Sequence, residues 1–127
     1  MSDEFTILGK QVSEPIRKLE TFAAPDDVKV VTLSSNELTS LCPVTGQPDF
    51  STVEIEYAPD GLCIESKSLK LYLWTFREEG HFCESLASLI ARDIFDAAKP
   101  HWCQVTLKQN VRGGISIQAT ARVGKDE

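Results

Sequence analysis

The chain has 127 residues, 42% of them hydrophobic and 25% charged, the size and composition of one soluble globular domain. Its 13 basic and 19 acidic residues leave a net charge of −6, which disfavours sequence-independent binding to a nucleic-acid backbone, since that needs clustered positive charge. No apolar run approaches the roughly 20 residues of a membrane helix, and the acidic start Met1-Ser2-Asp3-Glu4 lacks the pattern of a secretory signal, so a cytoplasmic location is expected.

Residues 1–27 are mixed and polar, with Pro15 and Pro25 interrupting any pattern. They are expected to form an N-terminal arm, with a short helix near Ile16–Phe22, ahead of a single domain over residues 28–127. Val28 to Leu33 is rich in β-branched residues and reads as a strand. A loop around Cys42 follows, held by Pro43, Thr45, Gly46 and Pro48. Val53-Glu54-Ile55-Glu56-Tyr57 alternates and predicts a second strand. Pro59-Asp60-Gly61 makes a turn, after which Leu62–Glu65 is expected to extend the sheet. Leu69, Leu73 and Phe76 share a helical face, with an exit at Glu78-Glu79-Gly80. Phe82, Leu86, Leu89, Ile90 and Ile94 mark an amphipathic helix over Phe82–Ala98, ended by Lys99-Pro100. Two alternating strands close the chain, Cys103–Leu107 and Ile115–Ala121, joined through Asn110-Val111-Arg112-Gly113-Gly114.

No two of Cys42, Cys63, Cys83 and Cys103 have zinc-knuckle spacing, and a reducing compartment argues for free thiols. Cys63 and Cys103 fall on apolar alternations and read as small core residues. Cys42 differs: it lies in a turn, where a side chain can meet a ligand. It is the candidate nucleophile. An unperturbed thiol with a pKa of about 8.5 is mostly protonated at neutral pH, so a group must take its proton. Asp49 lies across a loop that folds back at Pro48, and a carboxylate there can accept that proton and deliver it elsewhere. The plain alternative is a buried cysteine beside a turn-capping aspartate.

A second cluster is Glu65-Ser66-Lys67-Ser68-Leu69-Lys70. On a helix Lys67 and Lys70 share a face, and with Arg112 beside Gly113-Gly114 they could hold the phosphates of a dinucleotide. A solvated basic edge is the competing reading. Glu65 could hydrogen-bond a heterocycle or pair with a lysine. No GxGxxG run is present, so a Rossmann-type nucleotide site is excluded. Glu84 either complements the dipole of its helix or accepts the N–H edge of a guanine-like ring. His81 and His101 lack partners at metal spacing and read as structural or surface residues.

The run Thr39-Ser40-Leu41-Cys42-Pro43-Val44-Thr45-Gly46-Gln47-Pro48-Asp49-Phe50, with Glu65-Ser66-Lys67-Ser68-Leu69-Lys70-Leu71-Tyr72, resembles the signatures of the NADPH-dependent 7-cyano-7-deazaguanine reductases. These are the QueF-type nitrile reductases of queuosine biosynthesis. The resemblance implies an α+β tunnelling fold (T-fold): an antiparallel sheet with two helices on one face, assembled into a ring. Two stacked pentamers, with active sites between subunits, are expected. It implies that Cys42 adds to the nitrile carbon to give a thioimide while Asp49 supplies the proton. NADPH would then reduce the adduct to 7-aminomethyl-7-deazaguanine. By position, Glu65, Ser66, Cys83 and Glu84 would line the deazapurine site, and Lys67, Lys70 and Arg112 would hold NADPH. Neither a metal, nor direct nucleic-acid binding, nor a membrane is implied.

One departure stands out. Family members commonly carry histidine at the position of Cys83, and a thiol is a weaker hydrogen-bond partner that carries no stable positive charge. His81 would compensate only if the backbone turned it inward. Two other functions compete: an amidinotransferase acting on the nitrile base in tRNA, and a non-catalytic binder of purine or pterin. The intact lysine run and the acidic balance favour the reductase over the first. Cys42 and Asp49 together disfavour the second, since binding alone requires neither.

Overall fold

The computed structural model describes residues 17–125. Two long strands, β2 (Val31–Leu41) and β3 (Pro48–Ala58), form a hairpin. Strand β5 (Trp102–Arg112) pairs with β3, and β6 (Ile115–Gly124) pairs with β5, giving an antiparallel sheet of order β2-β3-β5-β6. Strands β3, β5 and β6 outrun the short alternations that predict them, whereas β2 starts only at Val31, leaving Val28–Val30 of the expected strand outside it, and runs on to Leu41. A separate two-stranded sheet joins β1 (Thr21–Ala23) to β4 (Leu62–Ile64).

Two expectations are corrected here. Ile16 lies outside the described residues, but 17–20 have no regular structure and Thr21–Ala23 is a strand, so the short helix is not formed. Leu62–Ile64 pairs with β1 instead of extending the main sheet. One cause serves both: the extended lead-in hands the β4 segment a partner before it can reach the larger sheet.

Helix α1 (Ser66–Trp74) and helix α2 (Cys83–Ala98) connect β4 to β5. Glu65 caps α1 with both carboxylate oxygens, Oε1 accepting the Ser68 N–H at 2.7 Å and Oε2 the Lys67 N–H at 2.9 Å. Helix α2 buries Leu86, Ile90, Ala91 and Ile94 against β5 and β6, the face its periodicity predicts. It ends at Lys99, in left-handed conformation with φ 48°, whose N–H donates to Phe95 C=O at 2.8 Å; Pro100 then forbids another turn.

The core lies between the sheet and the helices: Val53, Ile55, Tyr57, Cys103, Val105 and Leu107 from the strands meet Tyr72, Phe76, Leu86 and Ile90. Tyr72 Oη donates to Asp93 Oδ2 at 2.6 Å and ties α1 to α2. Tyr57 Oη accepts the Ile64 N–H at 2.7 Å and ties β3 to β4. Cys63 and Cys103 are buried, as their alternation predicts.

Burial raises several of these acids. The Tyr57 phenol moves from 10.0 to about 12 and the Cys103 thiol from 9.0 to about 12, both chiefly because burial penalises the charged form. Tyr72 is raised further, by burial and then by its bond to Asp93. Groups held neutral in the fold lend stability that is complete below their unfolded values and is lost as pH climbs toward the folded ones. The urea midpoint should therefore be lower at about pH 11 than at about pH 8. Equal midpoints would contradict it.

Candidate active site

Strand β2 changes phase before it reaches Cys42. Ser35 pairs with Val53 but Leu38 pairs with Ser51, so one extra residue bulges at Asn36-Glu37. Up to the bulge the odd residues Val31, Leu33 and Ser35 turn toward the helices; beyond it Leu38 and Ser40 do so, both buried. Cys42 continues that phase. Its N–H donates to Gln47 C=O and its C=O accepts the Gly46 N–H, each at 2.8 Å, closing a tight loop in which Gly46 takes φ 75°.

Asp49 lies within β3, not in the loop that the prolines suggest. It pairs with Ser40 and, on alternation, shares the helix-side face with Cys42 and Ser51. The register makes this face change character along the sheet. Rows through Tyr57–Cys103, Ile55–Val105 and Val53–Leu107 are apolar; the next row is Leu38–Ser51–Gln109 and the last is Ser40–Asp49. Ser40 Oγ and Ser51 Oγ are buried without a hydrogen-bond partner among the described residues, while Gln109 is 9% exposed. A buried hydroxyl without a partner costs about 1–3 kcal/mol, so these groups form a polar floor available to a ligand at this end of the sheet. The sequence does not single out Ser40, Ser51 or Gln109; only the inward phase counted from Asp49 would.

The start of α2 meets the same end. Cys83 is buried, its Sγ 3.8 Å from Leu107 C=O. Burial first, then the Glu84 carboxylate and more weakly the Asp49 carboxylate raise its thiol above 9.0, opposed by the Ala119 N–H. Asp49 is therefore a neighbour of the α2 start. Glu84 is exposed in the first turn of that helix. His81 is not turned toward this end as a substitute imidazole: its Nε2 is 2.9 Å from Glu79 Oε1, and its ring stands edge-on to Phe76 with centroids 5.6 Å apart. His101 is at the surface, 3.9 Å from Asp60, as read from sequence.

Ser66, Lys67 and Lys70 lie on α1, elsewhere in the protomer. Ser66 and Lys70 line a cavity of about 920 Å³ together with Leu69, Leu73, Lys108 and Gln118. Neither Cys42, Asp49, Cys83 nor Glu84 borders it. The Glu65 carboxylate caps the helix, which uses two of its roughly four acceptor positions. Arg112 ends β5 opposite Ile115, at the turn where Gly113 and Gly114 take positive φ. One protomer thus gathers Cys42, Asp49, Cys83 and Glu84 at one end of the sheet, and carries Ser66 and Lys70 in a separate cavity.

A solved structure titled as that of the archaeosine synthase QueF-Like in the apo form shares this fold, with a TM-score of 0.72 over 78% of this chain and 97% of that one, at 24% identity. The class is the T-fold: two helices on an antiparallel sheet. Residues 48–127 match the family described as QueF-like protein. Curated relatives named NADPH-dependent 7-cyano-7-deazaguanine reductase include one from Syntrophus aciditrophicus, 49% identical over 94% of this chain and 86% of its own length. Another, from Frankia casuarinae, is 47% identical over 91% of this chain and 93% of its own. The chain belongs to the NADPH-dependent 7-cyano-7-deazaguanine reductase family.

The buried setting of Cys83 makes Cys83→His an overpacking change, because imidazole exceeds the thiol it would replace beside Leu107 and Ala119. A loss of about 1–3 kcal/mol is expected, read as a lower urea midpoint, with Cys83→Ser closer to wild type. A histidine variant as stable as wild type would show that the pocket has room.

Proposed function

We propose that this chain reduces the nitrile of 7-cyano-7-deazaguanine to the aminomethyl group with NADPH, in queuosine biosynthesis, through a thioimide on Cys42. The supporting observation is the hairpin end itself: Cys42 is partly exposed while Cys63, Cys83 and Cys103 are buried, and Asp49 stands on the same face one pairing away. The Cys42 thiol passes its proton to Asp49, its sulfur bonds to the nitrile carbon, and one π bond of the nitrile opens. Asp49 returns the proton to the nitrile nitrogen, so the adduct is a neutral thioimide and the carboxylate is regenerated. Cys83, held neutral by burial and by two nearby carboxylates, does not compete as a nucleophile.

Glu84, exposed at the α2 start, and Glu65, with acceptor positions left over from its cap, suit the N–H edge of a deazaguanine; Ser66 adds a hydroxyl. Two NADPH molecules, bound in turn, would each supply one hydride. The cavity beside Lys70 has the size for part of a dinucleotide; Lys70 and Lys108 offer cations to its phosphates within a lining that also carries Glu37 and Glu54, and Lys67 and Arg112, outside that lining, complete the proposed set.

The site is shared between subunits in this reading, within a ring assembly of two stacked pentamers. Among the described residues, the outer edges of β2 and β6, 11 and 10 residues long, pair with no other strand of the sheet. Val44, Phe50 and Phe82 are exposed near the hairpin end and the α2 start, where a neighbour would cover them. A neighbour at these edges would also bring a lysine-lined cavity toward a cysteine that the single protomer keeps apart from it.

Incubation with the nitrile base, without NADPH, should give a covalent adduct on Cys42 by mass spectrometry. Cys42→Ala should abolish it, and Asp49→Asn should lower turnover more than base affinity; an undiminished adduct in Cys42→Ala would refute the assignment. Lys70→Ala should weaken NADPH by about tenfold or more, since charge-assisted contacts contribute about 1.5–3 kcal/mol each, with base binding little changed. Tight tRNA binding that falls steeply with salt would instead point to an amidinotransferase. Light scattering of the active protein should give an assembly mass; a monomer with full activity would exclude the shared site.

A further inference from the structure

The last residue before the nucleophile is held from outside the sheet. Leu41 N–H donates to Glu79 C=O at 2.9 Å, and His81 N–H donates to Leu41 C=O at 3.0 Å, so Leu41 forms a parallel bridge to Gly80 in the α1–α2 connector. Gly80 lies against Pro43, where a Cβ would come within 3.4 Å of the proline Cα. Two residues further on, the same connector delivers Cys83 and Glu84 into α2. Residues 79–81 therefore fix the Cys42 loop and the start of α2 to one another.

The connector is in turn gripped by its own side chains and by the lead-in. Glu79 spans two partners: Oε1 faces His81 Nε2 at 2.9 Å, and Oε2 accepts from Arg17 Nη2. Arg17 is placed threefold. Its Nε donates to Thr75 Oγ1 at 2.6 Å, its guanidinium lies 4.2 Å from the Phe76 ring centroid, and the following Glu20 is bonded through its backbone to Glu65 N–H and Ser68 Oγ. The guanidinium holds planar, directional contacts of a kind a flexible ammonium would hold less well.

We infer that Glu79 is a positioning residue for Cys42 and that Arg17 acts through it, so the lead-in strap sets the geometry of the nucleophile. The inference rests on the reading of Cys42 as the nucleophile. Arg17 and Glu79 carry side chains that are 37% and 43% exposed, so neither is part of the core and substitution should leave the fold intact. Released, residues 79–81 lose their side-chain anchor and Leu41 loses a rigid partner; a displacement of about 1 Å at a reacting atom can cost about a hundredfold in rate.

The test compares Arg17→Ala, Glu79→Ala and Arg17→Lys with wild type. At saturating nitrile base, the rate of Cys42 adduct formation should fall about tenfold or more in the two alanine variants, while base affinity stays within about twofold. Arg17→Lys should recover part of the loss. Amide hydrogen exchange at Leu41 and His81 should accelerate by about tenfold, with Val53–Tyr57 unchanged, a readout that general destabilisation would not give. Wild-type adduct rates in both alanine variants would overturn the inference, as would a loss matched by faster exchange throughout β3. If wild type itself forms no adduct, the nucleophile assignment fails and takes the inference with it; an adduct that forms equally fast without Arg17 sinks the inference alone.

Discussion

One extra residue in β2 sets the site. Without the bulge at Asn36-Glu37, the odd residues that face the helices from Val31 to Ser35 would go on doing so through Leu41. Cys42 would then point to the outer face, among the exposed Ser, Thr and Glu side chains, with the sheet between it and Asp49. A strand has a side-chain period of two, so a single insertion inverts every side chain after it. The bulge is tolerable because β2 is an edge strand: the unpaired residue disturbs a ladder on one side only. The local sequence, Ser35-Asn36-Glu37, is polar and supports it with the Glu37 N–H donating to Ser35 Oγ at 3.1 Å.

The same inversion explains why the buried layer turns polar where it does. Leu38 is the last apolar residue that β2 contributes to the core, and Ser40, Asp49, Ser51 and Gln109 follow on the inward face. A continuous apolar floor would be more stable, since buried hydroxyls without partners oppose folding. The apolar rows through Tyr57–Cys103, Ile55–Val105 and Val53–Leu107, packed against α2, carry the core at the other end. The division of labour runs along the strands, not between domains.

Much of this was legible in the sequence and the rest was hidden for identifiable reasons. Helix α2 was readable because its apolar residues recur over four turns, and Lys99-Pro100 stops it unambiguously. The closing strands were readable because alternation survives in each. Cys42 stood out through the turn residues around it, and Asp49 through its spacing, although its place inside β3 was masked by Pro48, which heads the strand at an edge-compatible position. The bulge was not readable, since nothing distinguishes Asn36-Glu37 from an ordinary exposed pair. Glu65 as a helix cap was within reach, being an acid directly before a helical run. The role of Glu79 was not: its charge suggested only a helix exit, and its bonds to Leu41 run through backbone atoms that carry no sequence signal.

The settings of Cys42 and Cys83 bear on the proposed choice of nucleophile. Two thiols lie near one end of the sheet, and proximity alone would let either attack. Cys83 lies beside the Leu107 carbonyl; burial first, then the carboxylates of Glu84 and Asp49, oppose a thiolate there, against the Ala119 N–H, which favours one. Cys42 has a different setting: partial exposure in a tight loop closed by its backbone bonds to Gln47 and Gly46, with Asp49 following on β3. An imidazole at position 83 would bring a group able to carry positive charge near the Glu84 and Asp49 carboxylates. The thiol adds none. In the proposed mechanism proton transfer is therefore left to Asp49, and the buried Cys83 contributes shape, not charge.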